Sequence, residues 1–361
     1  MVKYRKKSKT RKLDFITCDD SAYVGLDVHK RSIHGAVRIN GNLISTFVMP
    51  ANKDAVIKTL EPLAAGLEKI VYEAGPTGYS LARSFQEIGW PIEVIAPGKI
   101  PKEANQGSKS DRLDCKKLAE FAEKDMLKAV AIPTEQEEAD RQLTRLRDHL
   151  KKKEKRVKQQ IKSFLLQHGI KEPVSLSNWS KSGVDALAKL ELNSELRFTM
   201  DIFLEELKDL KEHLKATQNR IKQISKAERF AEKVTLLETH PGVGPKTSIK
   251  FLTEVYQPGR FNEYTQVARY TGLAPRVRQS GEKRREGPLI KAGQAPLRCM
   301  LIQAAWAWVR CDPYAAMVYR RLLKNTGKTQ KAITGIARRL AVNLWCMLMR
   351  GEVFRATPVS V

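Results

Sequence analysis

Apolar residues in this chain come first at strand spacing and then, from residue 135 onward, at helix spacing. That change of period limits what the chain can fold into. Between Tyr23 and Met49 the runs YVGLDV, SIHGAVRI and LISTFVM are short and β-like, with a turn at Gly41-Asn42 between the last two. This predicts an antiparallel hairpin continuing from the first strand. Val56, Leu60, Leu63, Ala64 and Leu67 then recur at helix spacing. They precede the strand KIVYEA, a second helix from about Tyr79 to Ile88, and the strand PIEVIA.

Three strands followed by strands alternating with helices is the order of an RNase H-like α/β fold. That fold commonly carries a catalytic acid in its first strand and another at the end of its fourth. Asp27, which interrupts Tyr23-Val24-Gly25-Leu26, and Glu73, which ends Ile70-Val71-Tyr72, occupy those places. After a polar linker from Lys99 to Ser110, Asp111 and Asp114 open another helix, three residues apart and so on one face. A charge at the end of a buried strand is costly unless paired, and converging carboxylates repel unless cations sit between them. A divalent-metal site accounts for all four acids, and metal held by carboxylates serves phosphoryl transfer. Asp111 suits an N-cap equally well, where it would accept free backbone N–H groups.

Lys and Arg number 65 against 40 Asp and Glu, a formal net charge of +25. The cations cluster in an N-terminal arm with Lys3, Arg5, Lys6, Lys7, Lys9, Arg11 and Lys12, in KKKEKRVK from Lys151, and in Arg276–Lys291 and Arg320–Arg339. One such run is usually a solvated face; four of them point to a polyanion, because each neutralised phosphate releases counterions. Cys18, Cys115, Cys299, Cys311 and Cys346 show neither CxxC pairing nor zinc spacing, which argues for a reducing interior. The basic N-terminus has no apolar core of a signal peptide. No continuous apolar run approaches the ~18 residues of a membrane span. The expectation is a cytoplasmic, nucleoid-associated protein without a membrane partner.

From Glu135 the chain is long, charged and helical. Leu143, Leu146, Leu150, Lys153, Val157, Gln160 and Phe164 step by threes and fours. Leu196, Met200, Phe203, Leu207, Leu210, Leu214, Thr217, Ile221 and Ile224 keep the register without a break. Such a seam specifies a left-handed coiled coil. It could close within the chain, but joining subunits is the favoured expectation. The stretch 169–193 reads as a mostly irregular excursion. A compact helical domain follows, opening with helix, Pro241-Gly242-Val243-Gly244, helix. This is a helix–hairpin–helix pattern whose second helix would offer N–H groups to a DNA phosphate through Gly242, Gly244, Lys246 and Thr247. Trp306, Trp308 and Trp345 lie in apolar helical surroundings and read as core.

Between Leu273 and Leu289 a loop, APRVRQSGEKRREGP, sets Ser280 among Arg276, Arg278, Lys283, Arg284 and Arg285, with Lys291 just beyond. A serine so placed can hydrogen-bond a phosphate or attack one; the residues by themselves leave both open.

Taken together, YVGLDVHK, VYEAGPTGY, SDRLDCKKLAE, HPGVGPKTS and GLAPRVRQSGEKRREGPLIKAGQAPLR resemble the DEDD transposases of bacterial insertion sequences. These are Piv-invertase-like recombinases guided by a bridge RNA. The resemblance runs from about Tyr23 to Phe354. It implies a basic arm (1–20), a RuvC-like metal-binding domain (21–134), a coiled coil (135–232) and a helical transposase domain (233–361). It also implies Mg²⁺ on Asp27, Glu73, Asp111 and Asp114. Ser280 is implied as the nucleophile, forming a 5′-phosphoserine in a site composed from two domains and two subunits. The implied partners are donor and target DNA, the noncoding RNA, and further copies of the chain as a dimer or tetramer. Cys115 stands where the family usually has alanine, and Ser248 is a rival serine. Two other readings stay in play: a metal-dependent nuclease resolving Holliday junctions, with water as the attacker, and a scaffold that binds nucleic acid without cutting it.

Overall fold

The computed structural model describes residues 20–101, 111–280, 283–290 and 293–355; the side chains of 111–113, 278–280 and 283–286 fall outside that description. So does nearly all of the expected basic arm. The chain forms two compact units that divide after Thr134.

The first unit is a six-stranded sheet in the order β3-β2-β1-β4-β5-β6. Its strands are β1 (Ala22–Val28), β2 (Ser32–Ile39), β3 (Asn42–Pro50), β4 (Leu67–Glu73), β5 (Ile92–Ile95) and the short β6 (Ala129–Val130). β1, β2 and β3 are antiparallel neighbours, β1, β4 and β5 run parallel, and β6 returns antiparallel to β5. This mixed sheet is consistent with an RNase H-like domain. The β2–β3 turn sits one residue earlier than the sequence suggested: Asn40 (φ 48°) and Gly41 (φ 83°) make it. Asn-Gly with both φ values positive is the pair that matches strand twist.

Side chains alternate between two covered faces. Val24, Leu26, Ile70 and Tyr72 pack with Val56, Leu60, Ala82 and Phe85, the last four from helices α1 (Lys53–Leu60) and α2 (Ser80–Glu87). Val71 and Ile95 pack instead with Leu118 and Ala122 of α3 (Asp111–Glu123). Burial on both faces is why β1 and β4 read as nearly unbroken apolar runs.

The second unit is helical. Its opening helices are α4 (Glu135–Gln167), α5 (Lys181–Ala188), α6 (Ser194–Ser225), α7 (Glu228–Glu238), α8 (Pro245–Glu254) and α9 (Tyr264–Tyr270). After the strands β7 (Pro275–Ser280) and β8 (Lys283–Leu289) come α10 (Ala295–Cys311), α11 (Pro313–Thr326) and α12 (Thr329–Arg350). α4 and α6 form an antiparallel hairpin, with Phe164 against Phe203 near one end and Leu143 beside Ile221 and Ile224 at the other. Thus the seam expected to join subunits is filled from within the chain. On α6 the expected register holds throughout, with Met200, Leu207, Leu210, Leu214, Thr217, Ile221 and Ile224 buried. On α4 it drifts: Leu146 is 45 % exposed, and Ile161 rather than Gln160 is buried.

The stretch 169–193 is more ordered than expected. It holds a 3-10 turn at Val174–Asn178 and α5, and Leu176 and Leu187 enter the hairpin core. Ser180 starts α5 by accepting from the Gly183 N–H.

α8 packs on the hairpin through buried charge. Arg145 grips Glu254 with two bonds of 2.9 and 2.8 Å, and Lys250 lies 2.8 Å from Asp148 and 3.1 Å from Glu254. α12 has the length and mean hydropathy of a membrane-crossing helix, although Arg338 and Arg339 interrupt its apolar run. Its apolar residues Ile333, Ile336, Leu340 and Leu344 belong to the core of the helical unit. Trp308 is core as expected, its indole N–H donating to Asp312 at 2.7 Å.

Candidate active site

Gly25 fixes the geometry of the acidic edge. α3 crosses β1 so closely there that a Cβ on Gly25 would collide with the Cys115 carbonyl and the Ala119 backbone nitrogen. The direction of crossing follows from the other end of α3. Glu123 accepts from Arg38 Nε at 2.6 Å and from the Gly41 N–H at 2.7 Å. Arg38 is registered with Tyr23, near the start of β1. α3 therefore runs opposite to β1, and its first turn, with Asp111 and Asp114, lies toward the carboxyl ends of β1 and β4.

Asp27 and Glu73 stand at those ends. Gly25 is in register with Val71 and Leu26 with Tyr72, so Asp27 and Glu73 come next in line on neighbouring parallel strands. Two residues beyond Gly25 and Val71, they share the face that α3 covers. Asp27 is close enough to α3 to act on its side chains: the Cys115 thiol is pushed up to about 11, by burial first and by the Asp27 charge next. Asp27, Glu73 and Asp114 are thus gathered on one edge under one helix turn. Asp111 begins that helix, with its side chain outside the described residues.

Two supports escaped the sequence reading. His29 Nε2 lies 3.2 Å from Asp27 Oδ2, and the His29 ring meets His34 edge-on at 6.0 Å. His34 is the β2 residue registered with Asp27. A histidine two positions after the acid was the available signal. Beyond Glu73, the Tyr72 hydroxyl donates to the Gly78 carbonyl at 3.0 Å, and Ala74 N–H donates to Ile95 O at 2.8 Å. These bonds fix the turn that leaves β4, with Gly78 at φ 68°.

The donor set suits a hard divalent cation, since carboxylate oxygens on one edge are what Mg²⁺ takes. Among the described residues no three ligating side chains close to the spacing of a bound ion.

Ser280 lies on a strand rather than in a loop, which corrects the expectation. β7 and β8 form an antiparallel hairpin with Ser280 registered to Lys283 at its far end, Gln279 to Arg284 and Arg278 to Arg285. Arg276 is exposed nearer the base; Lys291 lies outside the described residues. Two glycines hold that base. Gly272, at φ 71°, and Gly293 approach so closely that a Cβ on Gly293 would strike the Gly272 backbone. Arg338 Nε also donates to Leu273 O at 3.0 Å.

Ser248, the rival serine, is fully buried in α8. In the turn before α8, Gly242 (φ 81°) sits against the backbone of Trp308, where a side chain would clash. Its glycine is explained by packing. Gly244 is open, Lys246 is exposed, and the Thr247 N–H is already bonded to Gly244 O at 2.9 Å. His240 anchors the turn. It is fully buried, packs against the Phe354 and Trp308 rings with centroids 4.1 and 4.6 Å away, and its pKa is lowered to about 4 by burial.

A mixed sheet with acids at its carboxyl edge, joined in one chain to a basic helical unit, fits the class of enzymes that cut and rejoin nucleic-acid strands. Comparison with known proteins narrows the class. Residues 24–170 match a DEDD transposase model of the IS110 type, and residues 234–320 match the family described as Transposase IS116/IS110/IS902. The chain is 31% identical to the transposase for insertion sequence element IS1533 of Leptospira borgpetersenii, over 79% of this chain and 84% of that one. It is 27% identical to the putative transposase y4qE of Sinorhizobium fredii, over 90% and 88% of the two chains. With the transposase for insertion sequence element IS1111A of Coxiella burnetii it shares 24% over 83% and 82%. This chain belongs to the IS110 family of DEDD transposases.

Proposed function

We propose that this transposase cuts and rejoins DNA with Asp27, Glu73, Asp111 and Asp114 as Mg²⁺ ligands and Ser280 as nucleophile. The observation that carries the proposal is the gathering of Asp27, Glu73 and Asp114 at one sheet edge under the first turn of α3. Bound Mg²⁺ would screen the charge of the scissile phosphate and favour the ionised serine. The four carboxylates position that charge, and His29 orients Asp27 by a hydrogen bond from its ring N–H. Ser280 Oγ attacks phosphorus, the P–O3′ bond breaks, and the 3′-hydroxyl leaves with a proton. The DNA 5′-phosphate is then esterified to serine, and a 3′-hydroxyl from another strand reverses the step to make a new joint. Neither half-reaction consumes a high-energy cofactor.

Arg276, Arg278, Lys283, Arg284, Arg285 and Lys291 neutralise backbone phosphates around the serine. The register supports this, because like charges directly opposite, as at Arg278 and Arg285, weaken an antiparallel pair unless an anion lies between them. α7, the turn with Gly242 and Gly244, and α8 with Lys246 and Thr247 act as a helix–hairpin–helix on DNA. α4 and α6 wind as a coiled coil. The working particle is a dimer or tetramer in the cytoplasm, at the nucleoid, with target and donor chosen by base pairing to a bridge RNA.

A denaturing gel tests the central step. Incubated with labelled element-end DNA, Mg²⁺ and the RNA transcribed beside the gene, the wild type should leave label covalently on protein. Ser280→Ala should leave none while binding DNA within about twofold of normal. Strand cleavage by Ser280→Ala would assign the attack to water and the enzyme to the junction-resolving nucleases.

A further inference from the structure

We propose that the face formed by α11 and α12 holds the backbone of duplex DNA, beyond the serine hairpin and independently of sequence. No acidic residue occurs between Asp312 and Glu352. Over the same span Arg320, Arg321, Lys324, Lys328, Lys331 and Arg339 are all exposed. None of the six is ion-paired to a carboxylate among the described residues. A solvated helix face ordinarily interleaves both signs, as α6 does with Glu205, Glu206, Asp209 and Glu212 among its lysines.

The two helices bring the cations together. Gly335 lets α12 lie against Leu322 of α11, where even a Cβ would come within 2.9 Å of the leucine methyl. Gly327, at φ 62°, turns the chain between Lys324 and Lys328 with open space around it. α12 then starts without a side-chain cap, leaving its positive end facing the same cluster.

Duplex DNA is the occupant favoured by continuity. Arg338, next to Arg339 on α12, is bonded to Leu273 at the base of the serine hairpin. DNA lying along that hairpin would therefore continue onto this face. The matched family region ends at residue 320, where the face begins. The inference rests on DNA being the substrate, as family membership gives, and not on the role of Ser280.

The test is the salt dependence of binding. Full-length protein carrying Lys324→Gln, Lys328→Gln and Lys331→Gln together is titrated onto a random-sequence DNA duplex at several salt concentrations. The plot of log Kd against log salt should lose about 2–3 units of slope, close to one per phosphate contact removed. The triple Lys→Arg variant should restore it. Lys208→Gln, Lys215→Gln and Lys222→Gln on α6, the same loss of charge elsewhere, should change it by less than one unit. An unaltered slope in the α11–α12 variant overturns the proposal, as does a loss of slope equal to that of the α6 variant. Weakened binding confined to an RNA hairpin, with the duplex unaffected, would reassign the face to the guide and overturn it too.

Discussion

Gly25 and Asp27 share one face of β1, and each depends on the other. The glycine lets α3 lie flat on the strand, and only then does the first turn of α3 reach the edge where Asp27 and Glu73 end. Gly25→Ala should destabilise the N-terminal unit by about 3 kcal/mol, because the new methyl meets backbone rather than a movable side chain. Denaturant melts followed by near-UV signal would measure it. His240 makes a prediction of opposite chemical kind. Burial holds it neutral, with its pKa down at about 4 against about 6.5 unfolded. Below pH 6.5 the unfolded chain binds a proton that the folded one refuses. Its stabilising contribution is thus complete above pH 6.5 and is lost as pH falls toward 4, to an extent of about 3 kcal/mol. Unfolding midpoints of the wild type should slope across that window. His240→Phe should flatten the slope.

At the level of elements, what the sequence disclosed tracks how much of each pattern is local. α6 was legible residue by residue because its buried positions repeat every three or four, from Met200 to Ile224. α5 was not, since eight residues give little period and Lys181, Ser182 and Gly183 look like loop. The serine hairpin read as a loop for a similar reason: its strands are short and almost wholly polar, with Arg278 set against Arg285, and that departs from the alternation by which strands are recognised. Asp27 and Glu73 were visible as charges in apolar runs. His29, by contrast, acts through a contact made only when β1 ends beside it, and Gly25 through a helix about ninety residues away. The buried charges between α4 and α8 were equally hidden, as nothing local marks Arg145, Asp148, Lys250 and Glu254 as a set. Glu254 illustrates their balance: burial would raise its pKa, but Arg145 and Lys250 outweigh that and hold it low. Lys250→Ala removes the cation shared by Asp148 and Glu254 and leaves them, in a buried site, to Arg147 and Arg145. It should cost about 3 kcal/mol, read as a lower chemical-denaturation midpoint of the helical unit.

Across the whole molecule, two units divide the chemistry by charge. The N-terminal sheet collects carboxylates at one edge, while the C-terminal helices carry an exposed, acid-free surface and the cationic hairpin with Ser280. Acids suited to a metal and cations suited to phosphates are what the proposed reaction on DNA requires, and family membership gives DNA as the substrate. α12 shows why composition has to be read with packing: apolar enough to cross a bilayer, it forms instead the core on which the helical unit is assembled.

The most direct measurement is of the metal itself. Mn²⁺ can stand in for Mg²⁺, and its paramagnetic signal reports how much is bound to the protein with element-end DNA and guide RNA present. The wild type should take up Mn²⁺ that Mg²⁺ displaces, and Asp27→Asn and Asp114→Asn should each weaken that uptake by at least about tenfold while nucleic-acid binding persists. Equal uptake by the wild type and both variants would contradict a metal site at this edge.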